Sequence, residues 1–341
     1  MHTHEYVRRV DHNSQTFAGA MTSDAPKVSI IILTWNSYEV TRDCLASIDK
    51  IDYPNREVLV VDNGSGDGSP DRLAEEFPFV RFIRNERNLG FTGGNNVGIR
   101  VALTRRPDYL LLLNNDTVVA SNFLSQMIDL AETDPTIGIL TPKIYFADPS
   151  DRIWFAGGRY RKGRSFPECF GMGRRDDGSY DQTREVSFVS GCAFLIKTEV
   201  VEKIGLLDES LFLGFEDLDW SIRAANAGFK AMYVANAVIW HKEGYDTKKN
   251  LGKAGKDFYY VRNSIVMARK HLSRVYWPLF ALSLSKYLAY RSLGYLIRGE
   301  PGRVKALLRG IPAGYLVTLE SHKFDALRQR TPDVPFKKEE Q

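Results

Sequence analysis

Three apolar runs in this chain each stop at a polar motif, and that placement constrains the fold more than any other feature. Residues 28–33 end in Thr34-Trp35-Asn36, residues 58–61 end in Asp62-Asn63-Gly64-Ser65, and residues 109–113 end in Asn114-Asn115-Asp116. Further on, Phe215-Glu216-Asp217-Leu218-Asp219-Trp220 opens a predicted helix. Unbroken apolar, β-branched runs are what a parallel strand buried on both faces requires. In an open α/β sheet, ligands bind outside the carboxyl ends of the strands. Carboxylates gathered there call for a cation, or for a proton to remove. Together these features point to chemistry on a nucleotide diphosphate.

The segments between the runs have helical patterning. Helices are expected over residues 37–50, 71–77, 97–103 and 122–131, with a third strand at 80–83 and a Gly/Asn loop at 88–96. Repeated βα units predict a mostly parallel sheet flanked by helices. After residues 137–140 the pattern changes. Residues 144–180 are rich in Gly, Arg and aromatics and predict mixed strands and long loops. Residues 185–197 return to β-type sequence, 199–204 and 217–227 predict helices, and 231–240 predicts a closing strand pair. The expected division is a lead at 1–26, an α/β domain at 27–245, a helical basic and aromatic region at 246–330, and a tail at 331–341.

Cys44, Cys169 and Cys192 have no CxxC spacing, so they imply neither a disulfide framework nor a zinc site, and a reducing compartment is expected. Residues 1–26 hold no apolar core of the signal-peptide type. The expected location is therefore cytoplasmic. Formal net charge is +4, yet residues 253–310 carry twelve Lys or Arg against Asp257 and Glu300, which leaves the remainder net acidic. An acidic body with a basic end suggests two different partners.

Taken one at a time, the motifs keep ordinary alternatives. Asp62 at a strand end suits a ribose hydroxyl or base N–H, and equally an Asx turn. The segment Asn88-Leu89-Gly90-Phe91-Thr92-Gly93-Gly94-Asn95-Asn96 precedes a helix and offers backbone N–H groups to an anion. It matches neither a Walker loop nor GxGxxG, and a structural glycine turn is the alternative. Asp116 is a hard oxygen ligand for Mg²⁺ or Mn²⁺, or a helix cap. Glu216, Asp217 and Asp219 supply a general base, or complement a helix dipole. His241, after residues 237–240, is a metal ligand or a plain hydrogen-bonding residue.

In combination and in order, these motifs resemble the inverting family 2 glycosyltransferases of GT-A fold, and most nearly their rhamnosyltransferase-like branch. The residues that carry the resemblance run from Val28-Ser29-Ile30 through Val60-Val61-Asp62-Asn63-Gly64-Ser65, Asn88-Leu89-Gly90-Phe91 with Gly93-Gly94-Asn95-Asn96, Leu113-Asn114-Asn115-Asp116 and Ser190-Gly191-Cys192 to Phe215-Glu216-Asp217-Leu218-Asp219-Trp220. The resemblance implies a GT-A, Rossmann-like sheet with a C-terminal helical extension. It implies that Thr34, Asn36, Asp62, Asn63, Asn88, Gly90, Gly94, Asn95, Asn114 and Asn115 hold the nucleotide sugar, and that Asp116 and His241 hold Mg²⁺ or Mn²⁺. It further implies Asp217 as catalytic base with Glu216 beside it, and Gly191, Cys192 and Trp220 around the sugar and acceptor. The implied reaction moves a sugar from a dTDP-rhamnose or UDP-sugar donor to a glycan or polyprenyl-linked hydroxyl in cell-surface polysaccharide synthesis. Asn114 departs from the family pattern, where a first Asp is usual, and brings no charge. A nucleotidyltransferase or a non-catalytic sugar-nucleotide-binding subunit are the competing classes.

Residues 275–285 are free of charge, but Lys286 and Arg291 break up the apolar character beyond them, short of the roughly 20 apolar residues a membrane span needs. Pro278 is expected to break a helix early. Tyr276, Trp277, Phe280, Tyr287, Tyr290 and Tyr295 among Lys and Arg suit a lipid headgroup zone. Peripheral contact with an anionic membrane on its cytoplasmic side is one expectation, and a helical cap on the catalytic domain is the other. No nucleic-acid motif accompanies the charge, so nucleic acid is not an expected partner.

Overall fold

Val28, Ile30 and Ile32 pack into one hydrophobic core and Ile31 into another, all fully buried, so the first strand is covered on both faces. This alternation sets the architecture of the computed structural model, which describes residues 25–242 and 252–319. Strands β1 (Val28–Thr34), β2 (Arg56–Asp62), β3 (Val80–Arg84) and β4 (Tyr109–Asn114) are parallel, in the spatial order β3-β2-β1-β4. Helices α1 (Tyr38–Ile48), α2 (Ser69–Glu76) and α3 (Gly90–Leu103) connect them. The register pairs Thr34 with Asp62 and Leu33 with Asn114, so the polar motifs end at one edge of the sheet.

The sheet then turns mixed. After β5 (Thr117–Val119) and α4 (Phe123–Ala131) come β6 (Ile137–Phe146), β7 (Ile153–Phe155), the short pair β8 (Gly158–Arg159) and β9 (Glu168–Cys169), β10 (Arg184–Val186) and β11 (Ala193–Lys197). Strand β11 runs antiparallel to β4 and β6, and carries the chain away from the ligand end after Gly191 and Cys192 have passed it. Helices α5 (Thr198–Ile204) and α6 (Glu216–Asn226) lead to β12 (Lys230–His241), which is parallel to β6 and antiparallel to β5. The result is an α/β sheet, mostly parallel and flanked by helices, as the sequence leads one to expect.

Several local expectations need correction. Residues 231–240 are one strand with an irregularity between Val234 and Val238, not a strand pair. Strand β6 extends to Phe146, well beyond residue 140. Helix α3 starts at Gly90, inside the segment expected as loop. Its glycines permit close packing: a Cβ at Gly94 would lie 2.5 Å from Leu33 Cδ1, and one at Gly98 would lie 2.5 Å from Ile31 Cγ2.

Helices α7 (Gly252–His271), α8 (Trp277–Ile297) and α9 (Pro301–Leu316) pack around Val261, Ile265, Phe280, Leu284, Tyr295 and Leu307. Pro278 sits in the first turn of α8 and starts that helix, where its missing N–H costs nothing. Among the described residues no helix is long and apolar enough to cross a membrane. The expected boundary at 245/246 and the tail at 331–341 lie outside the described residues, as does nearly all of the lead at 1–26.

Candidate active site

Asp62 closes β2 and is almost fully buried, with its Oδ1 accepting from the Ser65 N–H at 3.1 Å. Asn36 has a left-handed backbone (φ 50°), and the two loops are tied together at this point. Its Oδ1 accepts from Gly66 N at 2.9 Å and its N–H donates to Ser65 Oγ at 2.8 Å. A cleft of about 330 Å³ opens here, lined by Asp62, Gly64, Ser65, Gly66, Arg84 and Asn85 among others. Arg84 and Asn85 come from the end of β3. The strand-end rule, applied to that run as well, would have found them.

Other expected binding residues serve the frame. Thr34 Oγ1 lies 2.9 Å from Thr41 Oγ1, and Asn115 Nδ2 donates to Thr41 Oγ1 at 3.0 Å. Asn63 donates to Asn88 Oδ1 and Gly90 O and accepts from Asn85 Nδ2 and Leu89 N. Asn95 donates to Phe91 O. The N–H groups that were to cradle an anion are taken: Leu89 by Asn63, Gly90 by Asn88, and Phe91 and Thr92 by Phe212 O. Gly90 (φ 76°) and Gly94 are required by the packing of Phe212 and Leu33 against them. These contacts give the segment a structural role at the start of α3.

Two strand spacings, roughly 10 Å, separate β2 from β4. Asn114 is half-buried at the end of β4, and its N–H donates to Cys192 O at 2.9 Å. Asp116 and His241 are each only 5% exposed, with Asp116 Oδ1 3.0 Å from His241 Nε2. The pairing of β5 with β12 sets His241 opposite Thr117, next to Asp116. Trp154 stands edge-on to the imidazole at 4.6 Å between ring centroids. Burial disfavours the charged His241, but Cys192 and Asp116 beside it outweigh that and raise its pKa. The Cys192 thiol is itself pushed up by burial.

The two acids at the start of α6 differ in their surroundings. Asp217 is half-buried; its Oδ2 accepts from Gly191 N at 3.0 Å and its Oδ1 from Leu218 N at 2.8 Å. Burial raises its pKa, while these amides hold it down. Glu216 is 6% exposed, and its Oε2 has no hydrogen-bond partner among the described residues. Burial, then the Asp217 charge, push Glu216 up to about 8. Burial thus raises both acids, Glu216 the further, and groups at different points of their titration can take different roles. A Cβ at Gly191 would sit 3.6 Å from Asp217 Cβ and 3.7 Å from Glu216 Oε1, so glycine keeps the space before both open. Through Gly191 and Cys192 the structure brings Asp217 to the same end of the sheet as Asn114, Asp116 and His241. Trp220 is not brought there: it is fully buried, packs on Phe194, and donates from Nε1 to Gly205 O at 2.9 Å.

The model of glycosyl transferase family 2 matches residues 29–205, more than half of the chain. The chain belongs to this family. The match ends before Glu216, so the role of the acids of α6 rests on their geometry. Over 246 residues this glycosyltransferase is 24% identical to an N-acetylglucosaminyl-diphospho-decaprenol L-rhamnosyltransferase of Mycobacterium tuberculosis, covering 65% of this chain and 78% of that one. It is 24% identical over 252 residues to a dTDP-rhamnosyl transferase of Shigella flexneri, covering 71% and 79%. In fold it is similar to a Pyrobaculum calidifontis mannosyltransferase solved with GDP-Man and Mn²⁺, with a TM-score of 0.53, 16% identity, and coverage of 86% and 88%.

Sequence reasoning missed the residues that brace the glycosyltransferase's acidic helix from behind. Asn263 of α7, fully buried, donates from Nδ2 to Leu211 O, Leu213 O and Gly214 O at 2.8–2.9 Å, which fixes the loop before Glu216. Asp219 points away from the cleft and pairs with Arg223 at 2.8 Å and with Lys270 and His271 at 2.7 Å. Burial alone would raise Asp219, but these partners hold its carboxyl below the usual range. No spacing in α7 marks Asn263, because its partners are backbone carbonyls about fifty residues away.

Proposed function

We propose that this glycosyltransferase moves a sugar from a nucleoside diphosphate to a hydroxyl of a glycan or polyprenyl-linked acceptor, with inversion, in cell-surface polysaccharide synthesis. The names of its relatives favour dTDP-rhamnose as donor, with UDP-sugars as the alternative. The observation that carries the proposal is Asp217: a carboxylate held by two amides, next to a neutral Glu216, and linked through Gly191-Cys192 to the Asp116–His241 pair.

The nucleoside is assigned to the cleft at Asp62 and Asn36. The diphosphate is assigned to Asn114 and Asp116 at the end of β4. Asp217 takes the proton of the acceptor hydroxyl as its oxygen attacks the anomeric carbon. The new C–O bond forms on the face opposite the departing diphosphate, which leaves with the electron pair of the old C–O bond and inverts the centre. Glu216, neutral at pH 7, is placed to donate a hydrogen bond to a substrate oxygen, and Gly191 leaves room for it.

Asp116 and His241 fit Mg²⁺ or Mn²⁺ by donor type, one carboxylate and one imidazole side by side. Among the described residues no group of three or more His, Cys, Asp or Glu is arranged to hold a metal ion, so substrate oxygens and water would complete the shell. When bound, the cation offsets charge on the leaving diphosphate.

We assign catalysis to residues 27–245 and acceptor-side support to 246–330. The exposed face of α8 carries Leu279, Leu282, Tyr290, Leu293 and Ile297 in one stripe with Lys286, which supports peripheral contact with an anionic membrane on its cytoplasmic side. Incubating the protein with a panel of nucleotide sugars and Mn²⁺ and measuring release of nucleoside diphosphate tests the transferase assignment. Release from at least one donor is expected, and none from any donor would overturn it.

A further inference from the structure

A second cavity lies on the α8 side of the acids. The β8–β9 hairpin pairs Gly158 with Cys169 and Arg159 with Glu168, and its turn carries Arg161 and Arg164. Arg159, Arg161, Arg164, Phe166 and Glu168 line a cavity of about 410 Å³, within the range of small-ligand sites. Arg159 is paired with Glu168 at 2.8 Å, and among the described residues Arg161 and Arg164 have no ion-pair partner. Three guanidiniums against one carboxylate leave about two positive charges, the complement of a phosphoryl dianion.

The position of the hairpin says what such a group would belong to. Phe166 packs on Phe215, the residue before Glu216, at 6.0 Å and on Tyr260 at 5.0 Å between ring centroids. Cys169, next to Glu168, is pushed up to about 12 by burial and then by the nearby Asp217 carboxylate. On its other flank the hairpin docks on α8: Ser165 Oγ lies 3.0 Å from Ser283 Oγ, and a Cβ at Gly163 would meet Leu279 Cδ2 at 2.7 Å. The basic cavity therefore sits between the acids of α6 and the start of the exposed apolar stripe on α8. The donor cleft at Asp62 is lined by different residues.

We propose that this cavity receives the phosphoryl group of a phosphate- or diphosphate-linked lipid acceptor, with Arg161 and Arg164 as its principal ligands. The lipid chain lies along Leu279 and Leu282 of α8, and the sugar beyond the phosphoryl group faces Asp217. The acceptor role of this lipid rests on the proposed transferase function, whereas the phosphoryl site does not.

Calorimetric titration of the full chain with farnesyl diphosphate, farnesol and inorganic pyrophosphate tests this, with the Arg161→Ala/Arg164→Ala protein in parallel. Both positions are exposed, so the fold is expected to survive, and circular dichroism checks it. Any diphosphate binding at the donor cleft is common to the two proteins and cancels in the comparison. The expected result is farnesyl diphosphate bound at least about 10-fold more weakly by the double variant, because two charge-assisted contacts are lost. Pyrophosphate is expected to discriminate the two proteins less, and farnesol not at all. Equal affinity of both proteins for farnesyl diphosphate would overturn the site. Pyrophosphate bound as tightly as farnesyl diphosphate would overturn the lipid-linked source and leave free phosphate as the ligand. Arg-dependent binding without turnover of any nucleotide sugar would overturn the transferase function alone.

Discussion

The backbone N–H of Gly191 donates to Asp217 Oδ2 across 3.0 Å. This bond joins the acidic helix α6 to the segment whose next residue, Cys192, accepts from Asn114 at the end of β4. Residues distant in the chain are thereby held around one end of the sheet. The hydrogen bond also favours the ionised form of Asp217, which is what a base needs.

Glu216 gives the site a pH signature. Its folded pKa of about 8 lies above the unfolded glutamate value of about 4.3. Stability from the neutral form is thus fully present below about pH 4.3 and is lost as the pH rises through about 8. Glu216→Gln stays neutral throughout. Its Tm should exceed that of the wild type by a margin that widens from about pH 5 to about pH 8 and then levels. Thermal melts across that range check this; a constant margin would place Glu216 outside the buried, charge-coupled setting.

Asn263→Ala should be costly although Asn263 touches no substrate. It removes the side-chain donor shared by Leu211 O, Leu213 O and Gly214 O, of which Leu211 O keeps the Leu213 N–H, a loss of about 1–3 kcal/mol. Denaturant unfolding should show that loss. Steady-state kinetics should show kcat falling while donor KM changes little, because the loop positions the acids and not the nucleotide.

Much of this was legible in the chain, for physical reasons that also explain the rest. Strands β1, β2 and β4 are buried on both faces, so they read as unbroken apolar runs with their polar ends exposed to view. Strand β6 did not, because Thr141-Pro142-Lys143 interrupts it; Lys143 is buried and neutralised by Asp176 at 2.9 Å, a partner far off in sequence. The start of α3 looked like a loop because its glycines serve contacts with Leu33 and Ile31 that no local pattern records. The order of motifs singled out Asp116 and Asp217, and the fold brings them to one end of the sheet. Trp220 lies one helical turn after Asp217, yet its ring packs on Phe194 in the core and donates to Gly205 O, contacts that no local pattern records.

The Asp116–His241 pair makes metal dependence testable. Chelation with EDTA should abolish transfer and Mn²⁺ should restore it. His241→Ala should weaken Mn²⁺-dependent nucleotide binding by about 10-fold or more, since losing even an outer-shell partner of a metal site costs about 10- to 100-fold. Calorimetry with and without Mn²⁺ checks this; equal nucleotide affinity in both proteins would remove His241 from the site.

The stripe on α8 makes a separate prediction. Flotation with anionic liposomes at low salt should carry the protein upward, and Leu282→Glu/Leu293→Glu should leave most of it at the bottom. Raising the salt should weaken the wild-type association through its basic residues. No flotation at low salt would leave the stripe without a membrane role.

The central claim is that Asp217 is the base of the transfer reaction. Asp217→Asn keeps the size of the side chain and removes the proton acceptor. Titration with the nucleoside diphosphate and Mn²⁺ should give the wild-type affinity, while transfer to acceptor should fall by about 10²-fold or more. Near wild-type transfer by that variant would contradict the account.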